Sequence, residues 1–172
     1  VIGRSFQEAE AVVFLLGASD ATLGGSEYLK VIHGTVRGIP PAIDLNAERA
    51  LQRLIVSLVA AGKLQSAHDC SEGGIAVAIS ECCINGSKGI TVIAEIKKRW
   101  DAALFGEEQS RILISVDPLN QQQLVETCRK YSVPVMEVGY VSEKRISFGS
   151  FIQTDVDEIR ACWESGLSNY NS

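Results

Sequence analysis

Apolar and polar positions change period several times along the chain, and each change marks an element. Residues 11–17 (AVVFLLG) are apolar without interruption and end in glycine, which predicts a buried strand. Residues 18–41 are rich in turn formers: Ser19-Asp20, Gly24-Gly25, Gly34, Gly38 and Pro40-Pro41. Within them, 26–32 predicts a short helix capped by Ser26. The clearest helical period covers 44–61. There Leu45, Ala50 or Leu51, Leu54, Ile55, Leu58 and Val59 share a face, Asp44 can cap the start and Gly62 ends the run. A short strand at 64–68 leads through Asp69-Cys70-Ser71-Glu72-Gly73-Gly74 into a second helix reaching Cys83, its inward face Ile75, Val77, Ala78, Ile79 and Cys82. Residues 90–96 combine β-branched side chains with alternation, the mark of a strand. One helical turn follows at 100–104, a strand at 111–116 and a third helix at 118–131 with Leu119, Leu124, Val125 and Cys128 inward. Residues 135–141 and 145–148 read as a closing pair of strands, and 155–164 as a last helix. The alternation predicts a single α+β domain over 1–172, with helices packed on a mixed β-sheet.

Composition narrows the class. A chain of 172 residues, 46% hydrophobic and 22% charged, can bury roughly 70% of its unfolded surface without disulfide or metal. No apolar run approaches the ~18 residues of a membrane span. The net charge is −5, and the 16 Lys and Arg are scattered, which argues against nucleic-acid binding. The five cysteines include no CxxC pair, and Cys82 and Cys83 are adjacent; buried free thiols in a reducing cytoplasm are the simplest reading. No flanking pattern marks any of them as a nucleophile. Val1, without an initiator Met or a basic-then-apolar leader, reads as an excision point in a longer protein.

Three segments can carry chemistry. In His68-Asp69-Cys70-Ser71-Glu72-Gly73-Gly74, two glycines open a helix, whose free N–H groups and positive dipole end suit a phosphate. Asp69 or Ser71 could cap that helix; Asp69 could equally accept a hydrogen bond from a base or sugar, or hold Mg²⁺. A capped helix packed closely on the sheet explains the same residues. Leu104-Phe105-Gly106-Glu107-Glu108-Gln109-Ser110-Arg111 gathers hard oxygen ligands and hydrogen-bonding groups before a strand; the plainer reading is a solvated turn with a local Glu–Arg pair. Leu23-Gly24-Gly25-Ser26-Glu27-Tyr28-Leu29 reads, on its own, as a turn opening a helix. His33 suits a surface or capping role, and His68 either an oriented base or a hydrogen-bonded imidazole. The chain has no Walker loop, dinucleotide fingerprint or nucleophile elbow.

Taken together and in this order, the three segments resemble the carboxy-terminal half of the phosphoribosylformylglycinamidine synthase II family. The wider likeness is to the superfamily of aminoimidazole ribonucleotide synthetase, thiamine-monophosphate kinase, selenophosphate synthetase and a hydrogenase maturation factor. Asp69-x-Ser71-Glu72-Gly73-Gly74 belongs to the superfamily, whereas the Gly24-Gly25-Ser26-Glu27-Tyr28-Leu29 and Phe105-x-Glu107-x-Gln109-Ser110-Arg111 pieces point to this synthase. The resemblance implies the α+β fold of the aminoimidazole ribonucleotide synthetase carboxy-terminal domain. It also implies a cytoplasmic ligase of purine synthesis, in which ATP activates an amide oxygen as an iminophosphate and ammonia displaces the phosphate. On the matching positions Asp69 and Gly106 would contact ATP, Glu107 would help hold Mg²⁺, and Gln109 or Ser110 would touch formylglycinamide ribonucleotide. Gly73 and Gly74 would suit a substrate phosphate. The catalytic histidine and most metal carboxylates would lie in a missing amino-terminal domain, and a separate glutaminase subunit would supply ammonia. The chain alone is therefore expected to lack turnover. The other readings are another superfamily enzyme, such as aminoimidazole ribonucleotide synthetase or a small-molecule kinase, and a non-catalytic nucleotide-sensing domain.

Overall fold

The structure, a computed structural model, describes residues 2–95 and 99–168. Seven strands form one sheet in the order β2-β4-β1-β5-β3-β6-β7: β1 Val12–Gly17, β2 Ser66–Asp69, β3 Gly89–Val92, β4 Arg111–Val116, β5 Val135–Ser142, β6 Arg145–Phe148 and β7 Ile152–Asp155. All neighbours are antiparallel except β3 and β6. The helices are α1 Glu27–His33, α2 Leu45–Ala60, α3 Gly74–Gly86, α4 Trp100–Phe105, α5 Gln121–Lys130 and α6 Val156–Ser168. The sheet is mixed and carries helices on both faces, which is the predicted α+β architecture.

The sheet divides the core in two. Val13 and Leu15 of β1 join Ile75 and Ile79 of α3 on one side, and Val12, Phe14 and Leu16 join Leu51, Leu54 and Leu58 of α2 on the other. Two buried faces explain why β1 is apolar throughout, since alternate side chains reach opposite layers. Asp44 caps α2 as predicted, accepting from the N–H groups of Asn46 and Ala47. Ser26 likewise caps α1. No helix among the described residues is long and apolar enough to cross a membrane.

Several expectations are corrected. Leu45 and Val59 of α2 are exposed, so the buried stripe is narrower than the apolar pattern. Leu119 is 92% exposed, because Pro118–Asn120 is a separate 3-10 turn capped by Asp117 instead of the first turn of α5. Strand β3 stops at Val92: the N–H groups of Ile93 and Ala94 both reach the Val138 carbonyl, which breaks the ladder. Ile96 of the expected strand lies outside the described residues. Cys162 is exposed, while Cys70, Cys82, Cys83 and Cys128 are buried and free.

The expected closing pair does not pair. β5 and β6 flank β3, and β6 runs parallel to it and antiparallel to β7, a strand the sequence reading lacked. The chain crosses the start of β3 between Ser142 and Arg145. A Cβ on Gly89 would stand 2.1 Å from the Arg145 carbonyl oxygen and 2.6 Å from Ser142 Oγ. Only a residue without a side chain lets the backbone pass there.

Candidate functional site

The register of the sheet brings the three segments to one corner. Asp69, at the end of β2, pairs with Ile112 near the start of β4, and Gly17, at the end of β1, pairs with Arg111. Antiparallel neighbours thus deliver the loop after β1, the loop after β2 and the loop before β4 to the same sheet edge. A short bridge fixes the first to the third: the Glu107 N–H donates to the Thr22 carbonyl at 2.9 Å.

Glu107 is the centre of the corner. Its Oε1 accepts from the backbone N–H of Gly73 and from that of Glu27, each at 2.9 Å. One carboxylate therefore serves the starts of both α3 and α1, where unpaired donors and the dipole favour negative charge. Gly73 is the α3 cap residue, with φ 80°, and no side chain caps that helix. Neither Asp69 nor Ser71 does so; instead Ser71 Oγ donates to Asp69 Oδ2 at 2.6 Å on the exposed rim. The N–H of Gly74 bonds to the Ser71 carbonyl. The two glycine N–H groups expected to face a phosphate thus already have acceptors within the chain.

Shape matters as much as charge. Gly74 has φ 67°, and a Cβ there would lie 2.6 Å from the Gly106 carbonyl oxygen and 2.9 Å from that of Leu104. Gly106 is itself buried; its N–H donates to Ala102 and its carbonyl accepts from Arg111 at 3.3 Å. The second and third segments therefore pack backbone against backbone. Beside them Tyr28 of α1 stacks on Phe105 of α4, ring centroids 5.1 Å apart and 18° from parallel.

The remaining candidates separate. Asp69 and Gln109 are exposed, Glu107 and Ser110 half-buried. Ser110, in a left-handed conformation at φ 57°, gives its hydroxyl to Glu48 of α2. His68 Nε2 lies 2.6 Å from Glu81 Oε2, so it is a hydrogen-bonded imidazole tying β2 to α3. His33 sits at the exposed end of α1 against Tyr28. The solvated Glu–Arg pair is not formed: Arg111 is 2% exposed and has no salt bridge among the described residues. Burial pulls its pKa down, with the nearby Cys70 and Glu108 opposing. That burial is not legible in the sequence, since β4 positions of both parities are buried. Glu48 is no more legible, because its partner lies 62 positions away.

A family profile described as "AIR synthase related protein, C-terminal domain" matches residues 8–150. Phosphoribosylformylglycinamidine synthase subunit PurL of Anaeromyxobacter sp. (strain K) is 39% identical over 95% of this chain, which spans 23% of that protein. The structure of T. maritima PurL complexed with FGAR superimposes with a TM-score of 0.77 at 18% identity, over 93% of this chain and 29% of the other. T. maritima PurL complexed with ATP gives 0.74 at 20%, over 93% and 27%. At those identities the structural likeness concerns the fold alone. The chain spans less than a quarter of the length of this curated relative. With the profile covering most of its residues, the chain belongs to the AIR synthase related protein, C-terminal domain, family.

Proposed function

We propose that this chain forms one wall of the nucleotide and substrate cavity of a phosphoribosylformylglycinamidine synthase, an ATP-dependent C–N ligase of purine synthesis. The observation that carries the reading is the meeting of three distant segments at the single Glu107 carboxylate. The names of the PurL relatives, and the ATP and FGAR bound by T. maritima PurL, supply the chemistry. The opposite wall would come from an amino-terminal domain and ammonia from a glutaminase subunit, in the cytoplasm.

Within that reading the residues divide by what they leave free. Asp69 and Gln109 are exposed, and would face ATP and formylglycinamide ribonucleotide respectively. Gly73, Gly74 and Gly106 would serve the ligands indirectly, by letting the wall's own backbone pack closely, since the space a Cβ would take at each is filled by the chain. Ser110 would reach the substrate only by sharing the hydroxyl it gives to Glu48.

Mg²⁺ in nucleotide sites takes one or two carboxylates, with phosphate oxygens and water completing the shell. Glu107 Oε2 makes no hydrogen bond among the described residues and would be the carboxylate oxygen this wall offers. The remaining ligands would come from the nucleotide, water and the opposite wall. The ion would neutralise phosphate charge; the chain's own part is to keep that oxygen fixed between two helix starts.

The test is an assay of ATP hydrolysis dependent on formylglycinamide ribonucleotide and ammonia. The isolated chain is expected to show no turnover, and the longer polypeptide that carries it to be active. Glu107→Ala in that longer protein should cost about 10²-fold or more in rate, roughly 2.7 kcal/mol. Full activity of the variant, or turnover by the isolated chain, would overturn the reading.

A further inference from the structure

We infer that the space between the sheet, α3 and α4 is a binding pocket for a small monocarboxylate with an apolar body, held by Arg111. The cavity measures about 400 Å³, within the range of small-molecule sites. Ile75 and Ile79 of α3, Val92 of β3, Met136 and Val138 of β5 and Phe148 of β6 line it. These belong to the core cluster on that face of the sheet or pack against it, so the floor of the pocket is the apolar layer itself. Asp69, Glu107 and Gln109 do not line it, so it adjoins the corner through Leu104 and Arg111 without sharing the corner's exposed polar groups.

Arg111 is the buried polar group of this space. Its guanidinium makes one long hydrogen bond, to the Gly106 carbonyl at 3.3 Å, and its Nε has no partner. The adjacent Cys70 thiol offers no counter-charge near neutral pH, because burial raises its pKa to about 11. Glu108, though near enough for its charge to be felt, forms no ion pair with Arg111 among the described residues. The other charged groups along the lining, Asp20, Glu95 and Arg99, are exposed at the mouth. Arg remains protonated under all ordinary conditions. A buried cation without a paired anion is strongly unfavourable, so a ligand that supplies the anion gains what the chain leaves unsatisfied.

The geometry selects the ligand class. A planar carboxylate can take two parallel hydrogen bonds from the Nε edge of a guanidinium. The aliphatic and aromatic floor rewards an apolar body, while the polar Ser19, Asp20, Glu95 and Arg99 of the lining are exposed. A free inorganic anion would satisfy Arg111 but leave the walls unfilled.

Octanoate is a suitable probe, titrated into the 172-residue chain by calorimetry. Single-site binding is expected, and Arg111→Met should weaken it about tenfold or more, some 1.4 kcal/mol. Octanol, which lacks the carboxylate, should bind wild type no better than the variant. Ala103→Trp on α4 puts an indole into the cavity while leaving Arg111 in place, and should weaken octanoate binding about tenfold or more in a folded protein even if Arg111→Met does not fold. The inference is overturned by absence of octanoate binding to wild type at millimolar concentration, or by wild-type binding in either folded variant. Inorganic phosphate binding as tightly as octanoate overturns it too, by showing a plain anion site.

Discussion

Removing the Glu107 side chain should loosen the corner and measurably destabilise the whole domain. Its Oε1 accepts two backbone N–H bonds of 2.9 Å, from Gly73 and Glu27. A hydrogen bond to a charged group is worth ~1.5–3 kcal/mol. The carboxylate is half-buried, so water replaces part of the loss, and Glu107→Ala should cost about 2–4 kcal/mol. Glu107→Gln keeps a neutral acceptor and should cost about half as much. Urea unfolding followed by circular dichroism reads this directly. At a slope near 2 kcal/mol/M, the alanine variant's midpoint should fall by ~1–2 M. Hydrogen exchange supplies the local readout: the Gly73 and Glu27 amides should lose protection beyond the global change. Glu108→Ala is the comparison, because that carboxylate accepts only the Gln109 N–H at 3.2 Å in an exposed bond and otherwise acts on Arg111 through charge alone; its effect should stay at about 1 kcal/mol or less. If Glu107→Ala matches Glu108→Ala and both amides keep their protection, the clamp does not exist as described.

Gly74→Ala should be among the most damaging small substitutions. It places a Cβ 2.6 Å from the Gly106 carbonyl oxygen at φ 67°, and a thermal melt should show a loss of at least ~2 kcal/mol, strain and clash together. Asp44→Ala removes the α2 cap and should cost ~1 kcal/mol by urea unfolding. In the native protein only Cys162 should react promptly with a thiol reagent, the other four reacting after denaturation. Burial raises the pKa of Cys70 and Cys128 to about 11 and of Cys83 to about 12, and raises that of Cys82 as well. Their folded pKa values lie above the unfolded ones, so their contribution is complete below the ordinary thiol pKa. It is lost as pH rises from there through the folded values, at up to ~1.4 kcal/mol per pH unit for each thiol. Replacing the four by alanine or serine should flatten the alkaline limb of a stability–pH curve; an unchanged limb would refute this.

Local chemistry determined much of this protein before any packing. The unbroken apolar run of β1, the helical stripe of α2 and the caps Ser26 and Asp44 follow from sequence because each depends on neighbours within a few positions. The three glycine-and-carboxylate segments were equally visible, but their relation was not. Glu107 meets Gly73 across 34 positions and Glu27 across 80, and only the antiparallel register of β2, β4 and β1 sets those ends side by side. Tertiary packing also took Gly73 and Gly74, read as open donors for a phosphate, and gave their N–H groups acceptors inside the chain. It placed β6 beside β3, because Gly89 leaves room for a crossing that no strand-like pattern encodes. Arg111 was legible as polar and as a strand residue, yet its burial depends on helices α3 and α4 closing over that sheet face. Periodicity specifies which side of an element turns inward; which groups meet there is decided by contacts between segments far apart in the chain.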